Sequence, residues 1–369
     1  MEKKEHKKER SSKSDVRVGI SIGDVNGIGM EVTMKALEDA RILQDCTPII
    51  YGSQKLFAAS KKQFRMNNFN FNGITSAADA RRKKINILDV WEDEVEVKYG
   101  ETNETGGKYA FLSLQAATED LASGKIDVLV TAPISKEAMA KTGFQFPGHT
   151  EYLADMAGQE EALMLMVSST MRVGLVTSHI ALKDVSTTVT TDKVLDKINA
   201  FNASLKKDFG IQRPKIAVFG LNPHAGENGK MGEEERETII PAINRAQNDG
   251  ILAYGPYPAD GFFGSGARSK FDGVLAMYHD QGLAAFKALA FDEGVNFTAG
   301  LPIIRTSPDH GTAFDIAGEN KASGDSMRQA IYLAMDVFRN HKFEKEITAN
   351  VLVSQPREKK GRDNKRGDN

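Results

Sequence analysis

Apolar and polar positions along this chain fall into two recurring patterns. Near-continuous apolar runs of four to eight residues, stopped by Gly, Pro or polar residues, read as buried strands. VRVGISI (16–22), TPIIYG (47–52), INILDVW (85–91), IDVLVTAP (126–133), LMLMVSS (163–169), RVGLVTSH (172–179), IAVFGL (216–221) and VLAMY (274–278) are of this kind. Between them, apolar residues recur three and four apart, the spacing of one helix face. This predicts helices over 27–40, near 106–123, across 134–160 with a break at GFQFPGH, and over about 190–208, 233–249 and 324–341. Thr190, Thr191 and Asp192 suit an N-cap for the fourth of these. The polar segment 60–72 reads as a loop or the end of a helix. LMLMVSS and RVGLVTSH read as neighbouring strands. Strand and helix alternate as in βα units around a largely parallel sheet, so the fold class is α/β.

Composition bounds this picture. At 369 residues the chain exceeds the usual size of one core, so two domains or one large α/β unit are expected. Neither an internal repeat nor a low-complexity linker marks a boundary within 16–355. No apolar stretch approaches the roughly 18 residues needed to span a bilayer, and the N-terminus MEKKEHKKERSSKSD lacks the apolar core of a signal peptide. A single cysteine, Cys46, excludes an internal disulfide, fits a reducing cytoplasm, and reads as a small buried hydrophobe. Residues 1–15 carry six Lys/Arg against four Asp/Glu, and residues 356–369 carry six against three. Subtracting those excesses of +2 and +3 from the net −2 leaves about −7 for the body. The tails are short, mixed in sign and free of aromatics, so they read as solvated, disordered ends and not as nucleic-acid arms.

The candidate chemistry starts with three histidines that each follow an apolar run: His179 after RVGLVTS, His224 after KIAVFGLNP, and His279 after GVLAMY. Parallel strands in one sheet would place all three on a shared carboxyl edge, where α/β sheets bind ligands, and three imidazoles there could hold one divalent metal. The plain alternative for any one of them is a satisfied, partly buried histidine or a helix cap. GDVNGIGMEV (23–32) links the first strand to the first helix. It is neither a dinucleotide fingerprint nor a Walker A loop, so a tight βα turn competes with an anion site, and its Asp24 is only a candidate.

FPGHTEYLA (146–154) sets His149 and Thr150 at a helix start; Thr150 either caps the helix or joins His149 in binding a small anion. GLNPHAGENGKMGEEE (220–235) is a Gly-rich loop that carries His224, and its acidic run Glu233–Glu235 reads as a first helical turn, not a metal cluster. In 276–318, Lys287 on a short helix, with Asn296 and Arg305 on or near strands, suits a phosphate or carboxylate. The loop SPDHGTAFDIAG then brings Asp309, His310, Gly311 and Asp315 together; an acid such as Asp315 can accept hydrogen bonds from an adenosine ribose and repel a 2′-phosphate, favouring NAD over NADP.

These residues stand within motifs that resemble the 4-hydroxythreonine-4-phosphate dehydrogenase family of vitamin B6 biosynthesis. The resemblance runs from about Val16 to His341 and rests on GDVNGIGME, VTAPISK, GHTEYLA, SHIALKDV, GLNPHAGENGKMG, PYPADGFF, LAMYHDQGL and GVNFTAGLPIIRTSPDHGTAFDIAG. It implies that His179, His224 and His279 bind a divalent metal and act with Lys287 in catalysis. It also implies that His149, Thr150, Lys287, Asn296 and Arg305 bind the phosphorylated substrate. The DHGTAFDIAG segment is similar to the cofactor loop of isocitrate and isopropylmalate dehydrogenases, which implies their fold: two interleaved α/β domains with largely parallel sheets and a cleft between them. It places His310, Gly311 and Asp315 beside the adenosine half of NAD.

The resemblance further implies a homodimer whose active site is completed across the interface. Val25-Asn26 and Met30 depart from the family's commoner Pro-Ala and Pro, which alters the loop and leaves its glycines and Asp24 in place. The reaction implied is NAD- and metal-dependent oxidation of 4-phosphooxy-L-threonine, followed by decarboxylation. Alternatives are a paralogue acting on 4-phosphothreonate or 4-phosphoerythronate, a metal-dependent phosphohydrolase or aldolase without NAD, and a catalytically dead phosphate-sensing module. Three neutral imidazoles leave zinc, cobalt, nickel, manganese and magnesium open, magnesium being the least natural fit to nitrogen ligands. The general base is also left open.

Overall fold

The computed structural model describes residues 15–159 and 162–349. The two charged tails lie outside them except for Asp15, whose carboxylate accepts from Thr47 Oγ1 at 2.9 Å and Arg82 Nε at 2.6 Å. The strands in chain order are β1 (Val16–Ser21), β2 (Cys46–Gly52), β3 (Phe71–Ile74), β4 (Ile85–Asp89), β5 (Val128–Thr131) and β6 (Leu163–Val167). There follow β7 (Arg172–Leu175), β8 (Lys215–Phe219), β9 (Leu252–Tyr257), β10 (Gly273–Ala276), β11 (Val295–Ala299) and β12 (Arg305–Pro308). The helices are α1 (Gly29–Leu37), α2 (Gln54–Gln63), α3 (Glu104–Ala122), α4 (Lys136–Ala140), α5 (His149–Met156) and α6 (Val185–Thr188). The remainder are α7 (Thr191–Lys207), α8 (Ile240–Asn248), α9 (Ala259–Gly264), α10 (His279–Ala290) and α11 (Asp325–Thr348). None of the described helices is long and apolar enough to cross a membrane.

Among the described residues, twelve strands form one sheet in the order β3-β4-β2-β1-β5-β12-β11-β6-β7-β10-β8-β9. The strands from β3 to β12 run parallel to one another, and so do β7, β10, β8 and β9. Between the blocks, the pairs β12/β11, β11/β6 and β6/β7 are antiparallel. Three reversals in succession leave the two parallel blocks pointing in opposite directions. The mostly parallel α/β sheet read from the sequence is thus present, and a short antiparallel strip joins its two halves.

Side-chain alternation along the strands sorts the core. One face carries Val18, Ile20, Val128, Leu165, Val295, Phe297 and Val218 in a single apolar cluster under α1, α2, α7, α8 and α11. The other face is divided. Leu129 and Tyr51 pack under α3, α4 and α5, while Met166, Val173 and Phe219 pack under α9 and α10. Over the antiparallel strip between those two clusters, the same face presents Arg305 and Ser307 from β12, Asn296 and Thr298 from β11, and Met164 from β6, as the registers Asn296–Ser307 and Thr298–Met164 require. A gap in the helix layer therefore exposes a polar floor, and that gap is the cleft.

Cys46 is buried as expected, and burial pushes its thiol up to about 12. Thr190 caps α7, its hydroxyl accepting from the Lys193 amide at 3.3 Å. Thr150 is not a cap: α5 begins at His149 after Gly148, without a side-chain cap, so the Thr150 hydroxyl is left for the cleft.

Candidate active site

The histidine-bearing turns are held together from the strands upward. β7, β10 and β8 are adjacent and parallel, so His179, His224 and His279 do emerge from one carboxyl edge. Thr177 extends the β7–β10 pairing toward His179: its amide and hydroxyl both donate to the Met277 carbonyl, at 3.1 and 2.8 Å. Gln281 links the other two turns, accepting from the Met277 amide and donating to the Gly220 carbonyl, each at 2.7 Å. The His179 and His279 rings lie 5.9 Å apart between centroids with their planes inclined at 42°.

His224 does not join them. It sits on an exposed turn in which His224 to Asn228 all adopt left-handed backbone angles. Among the described residues no three His, Cys, Asp or Glu side chains stand close enough to hold a metal. The expected edge is present, and within one chain the imidazoles form a pair plus an outlier. The turn is braced by Glu235, which accepts from the Leu221 and Asn222 amides at 2.7 Å each and from Asn222 Nδ2 at 3.0 Å. Glu235 thus supports the histidine loop beyond its place in the acidic first turn.

The donor chemistry of the pair fits a divalent metal. His279 Nδ1 lies 2.8 Å from Asp280 Oδ1; a carboxylate has no proton to give, so Nδ1–H donates and Nε2 presents its lone pair, as in metal-ligating histidines oriented by a carboxylate. Burial, then the nearby Lys136 charge, holds His179 below the usual imidazole range, in the neutral form that ligation needs.

His179 also lines a cavity of about 250 Å³ over the antiparallel strip, shared with Thr131, Lys136, His149, Thr150, Glu151, Lys287, Asn296, Arg305 and residues 307–311. All five residues expected to bind substrate face this one space. Arg305 is the deepest, 3 % exposed. Its Nε and Nη2 donate to Thr131 Oγ1 at 3.0 and 2.7 Å, and its Nη1 donates to Thr298 Oγ1 at 3.2 Å. Burial lowers its pKa to about 10, Glu151 opposing from a distance. Among the described residues no carboxylate pairs with it directly.

His149 is driven well below the usual imidazole range by burial and then by the Arg305 and Lys136 charges, and its Nε2 is buried without a partner. Asn296 Oδ1 is likewise buried and unpartnered. Lys287 differs, because its Nζ is 3.0 Å from Asp309 Oδ1. Burial raises the Asp309 carboxyl, and Lys287 only partly offsets the shift. Lys136, Glu151, Thr131 and Thr298 join the site without a role assigned from sequence, although VTAPISK, GHTEYLA and GVNFTAGLPIIRTSPDHGTAFDIAG contain all four.

The segment expected at the cofactor lies against the first βα turn. The Ile28 amide donates to the Thr312 carbonyl at 3.0 Å, and a Cβ on Gly27 would come within 2.9 Å of that oxygen. The N-cap amide of α1 is therefore engaged by protein backbone, and GDVNGIGME forms a turn that seats the 309–318 loop. Gly23 turns here at φ +67°, where a Cβ would collide with the Pro133 carbonyl. In that loop His310 Nε2 is buried and unpartnered, and burial lowers its pKa, while Asp315 is exposed.

Asp24 is fully buried, accepts from the Asn26 amide at 2.9 Å, and has an unpartnered Oδ2. Burial raises its pKa to about 6. Unfolded, it ionises near its ordinary 3.8, so the folded state holds the extra proton between those values and stability falls as pH rises through them. Asp24→Asn removes this dependence. We predict that its unfolding free energy, relative to the parent, rises by about 2–3 kcal/mol from pH 4 to pH 7 in urea titrations; a difference that stays flat with pH refutes the buried-acid assignment.

Comparison with known proteins identifies the family. The family described as "Pyridoxal phosphate biosynthetic protein PdxA" matches residues 44–334. The chain is 49% identical over 346 residues to a 4-hydroxythreonine-4-phosphate dehydrogenase from Bacteroides thetaiotaomicron, covering 94% of this chain and 95% of the relative. It is 40% identical over 324 residues to an Oceanobacillus iheyensis protein described provisionally as a D-threonate 4-phosphate dehydrogenase, covering 87% and 97%. Its fold matches the crystal structure of 4-hydroxythreonine-4-phosphate dehydrogenase from Klebsiella pneumoniae with a TM-score of 0.74 at 34% identity, over 89% of this chain and 98% of that one. The chain therefore belongs to the pyridoxal phosphate biosynthetic protein PdxA family, the 4-hydroxythreonine-4-phosphate dehydrogenases, and is an oxidoreductase.

Proposed function

We propose that the protein uses NAD and a divalent metal to oxidise the C3 hydroxyl of 4-phosphooxy-L-threonine. The product, 2-amino-3-oxo-4-phosphooxybutanoate, then loses carbon dioxide to give 3-amino-2-oxopropyl phosphate, a step toward pyridoxal 5′-phosphate. The observation that carries this reading is a buried Arg305 with no carboxylate partner, in the same cavity as His149, Thr150, Lys136 and His179. A buried cation without a counter-ion is costly unless a ligand anion completes it.

Each residue then has a physical task. Arg305 and Lys136, with His149, Thr150 and Asn296, hold the phosphate and carboxylate ends. Lys287, already aligned by Asp309, adds an oriented ammonium. Fixing both ends sets the C3–H bond for transfer, where most of the advantage of binding lies. His179, His279 and His224 would hold the metal, which when bound lowers the pKa of the substrate hydroxyl and polarises the resulting ketone. His310, Gly311 and Asp315 would take the adenosine half of NAD, and the Asp315 carboxylate would repel the 2′-phosphate of NADP.

The protein is also proposed to be a homodimer, because His224 is out of reach of the pair within one chain and the family resemblance implies a site completed by a second copy; its single cysteine fits a reducing cytoplasm. Mixing inactive His224→Ala and Arg305→Met chains should then restore up to about a quarter of the parental activity, since half of the sites in hybrid dimers are intact; no recovery in verified hybrids overturns the shared site. A second reading is oxidation of a threonate or erythronate phosphate, which carries a hydroxyl where the amino acid carries its amine; the name of the Oceanobacillus relative supports the threonate. NADH formation from 4-phosphooxy-L-threonine and from D-threonate 4-phosphate, each with metal added, separates the two. Turnover of the sugar acid alone transfers the assignment to it; product without NAD removes both.

A further inference from the structure

We propose that Thr131 and Thr298 are positioning residues for substrate binding, holding the Arg305 guanidinium through neutral acceptors so that its whole charge is left for the substrate phosphate. The inference rests on the anion-site reading of the cavity. Its geometry comes from the pleat of three neighbouring strands. Arg305 on β12 pairs with Leu129 on β5, so Thr131, two residues further on, projects from the same face one step along. Thr298 projects from β11 on that face as well, two residues beyond Asn296. The two threonines are 0 % and 1 % exposed, which fixes their hydroxyls against an arginine that is itself buried.

The arrangement of hydrogen bonds is specific. Thr131 Oγ1 takes the Nε and Nη2 donors at 3.0 and 2.7 Å, and Thr298 Oγ1 takes one Nη1 donor at 3.2 Å. One N–H on each terminal nitrogen remains, which is the two-pronged edge that a phosphate or carboxylate accepts. An aspartate at either position would orient the guanidinium equally well, and it would also neutralise it. A hydroxyl orients and leaves the charge intact.

A residue that only satisfied a buried donor would affect folding and leave substrate affinity alone. The metal-loaded enzyme with NAD is therefore compared as parent, Thr131→Val, Thr131→Ser, Thr298→Val and Arg305→Met, following KM and kcat for 4-phosphooxy-L-threonine and the inhibition constant of inorganic phosphate. Thr131→Val should raise both KM and the phosphate inhibition constant by about tenfold to a hundredfold, with kcat changed less than about threefold. Thr131→Ser, which keeps the acceptor, should return both to within about threefold of the parent. Thr298→Val, which frees one donor, should raise them by about three- to tenfold, and it supplies the same test if Thr131→Val does not fold. Parental KM and phosphate inhibition in a folded Thr131→Val or Thr298→Val protein overturn the proposal, whatever their melting temperatures. If Arg305→Met also leaves phosphate inhibition unchanged, the anion-site reading fails and this inference falls with it. If Arg305→Met abolishes inhibition while the threonine variants do not alter it, only the positioning role is lost.

Discussion

Replacing Arg305 with Met should lower kcat/KM for the phosphorylated substrate by about two to four orders of magnitude while making the ligand-free protein more stable. The two effects have opposite signs because Arg305 is buried without a carboxylate partner. In the free protein its desolvation is opposed by two hydroxyls and, from a distance, by Glu151, and replacing such a charge by an apolar side chain of similar length relieves about 1–3 kcal/mol. In the complex the same charge faces a phosphate, and truncating one partner of a buried, hydrogen-bonded ion pair costs about 2–5 kcal/mol. Inorganic phosphate should accordingly raise the melting temperature of the parent and not that of the variant, as expected for a ligand that binds the folded state alone. Arg305→Lys should recover little of the loss, since an ammonium cannot use the two threonine acceptors and a phosphate edge together. A variant that is both less active and less stable would mean that Arg305 is a structural ion in the empty protein.

Much of this was legible in the residue pattern, for identifiable reasons. The strands that carry the three histidines are apolar runs with sharp polar ends, so both their existence and their shared edge followed once they were parallel. β9 was missed because LAYGPY carries Gly and Pro inside it, which lowers its strand signal and confines it to the sheet edge. β3 is only four residues, two of them Asn and Gly, and its first two residues lie with the end of α2 in the segment that reads as a loop or helix end. The reach of His224 was illegible, since it depends on a run of left-handed residues, four of them not glycine, that no local rule anticipates. Thr131 and Lys136 lay within a quoted motif without chemistry of their own. Thr298 could have been found: Asn296 and Thr298 alternate with Val295, Phe297 and Ala299 on a strand buried on both sides, and that period marks a polar face where a core residue belongs.

The second large effect is expected at the histidine pair. His279→Ala and His179→Ala should each reduce metal-dependent activity by about three orders of magnitude or more and lower the bound metal measured after dialysis, because each removes a ligand from a site with at most three. Both rings stand at the cleft rim and not in the core, so their melting temperatures without metal should stay within about 2 °C of the parent. Asp280→Asn should give a milder result, about 10- to 100-fold weaker metal binding, since a neutral side-chain amide can no longer fix the ring by accepting a charge-assisted bond from Nδ1. Protons compete for the same lone pairs, so affinity must fall as pH falls. Burial and the Lys136 charge hold His179 below the usual 6.5, which places its share of that fall on the acid side of 6.5. Lys136→Met removes one of these causes and should move the onset to higher pH, read by metal titration calorimetry across pH 5–7. Full metal content and full activity in both alanine variants would leave the shared strand edge without a metal to hold, and the reaction would then have to be reassigned to the cavity residues alone.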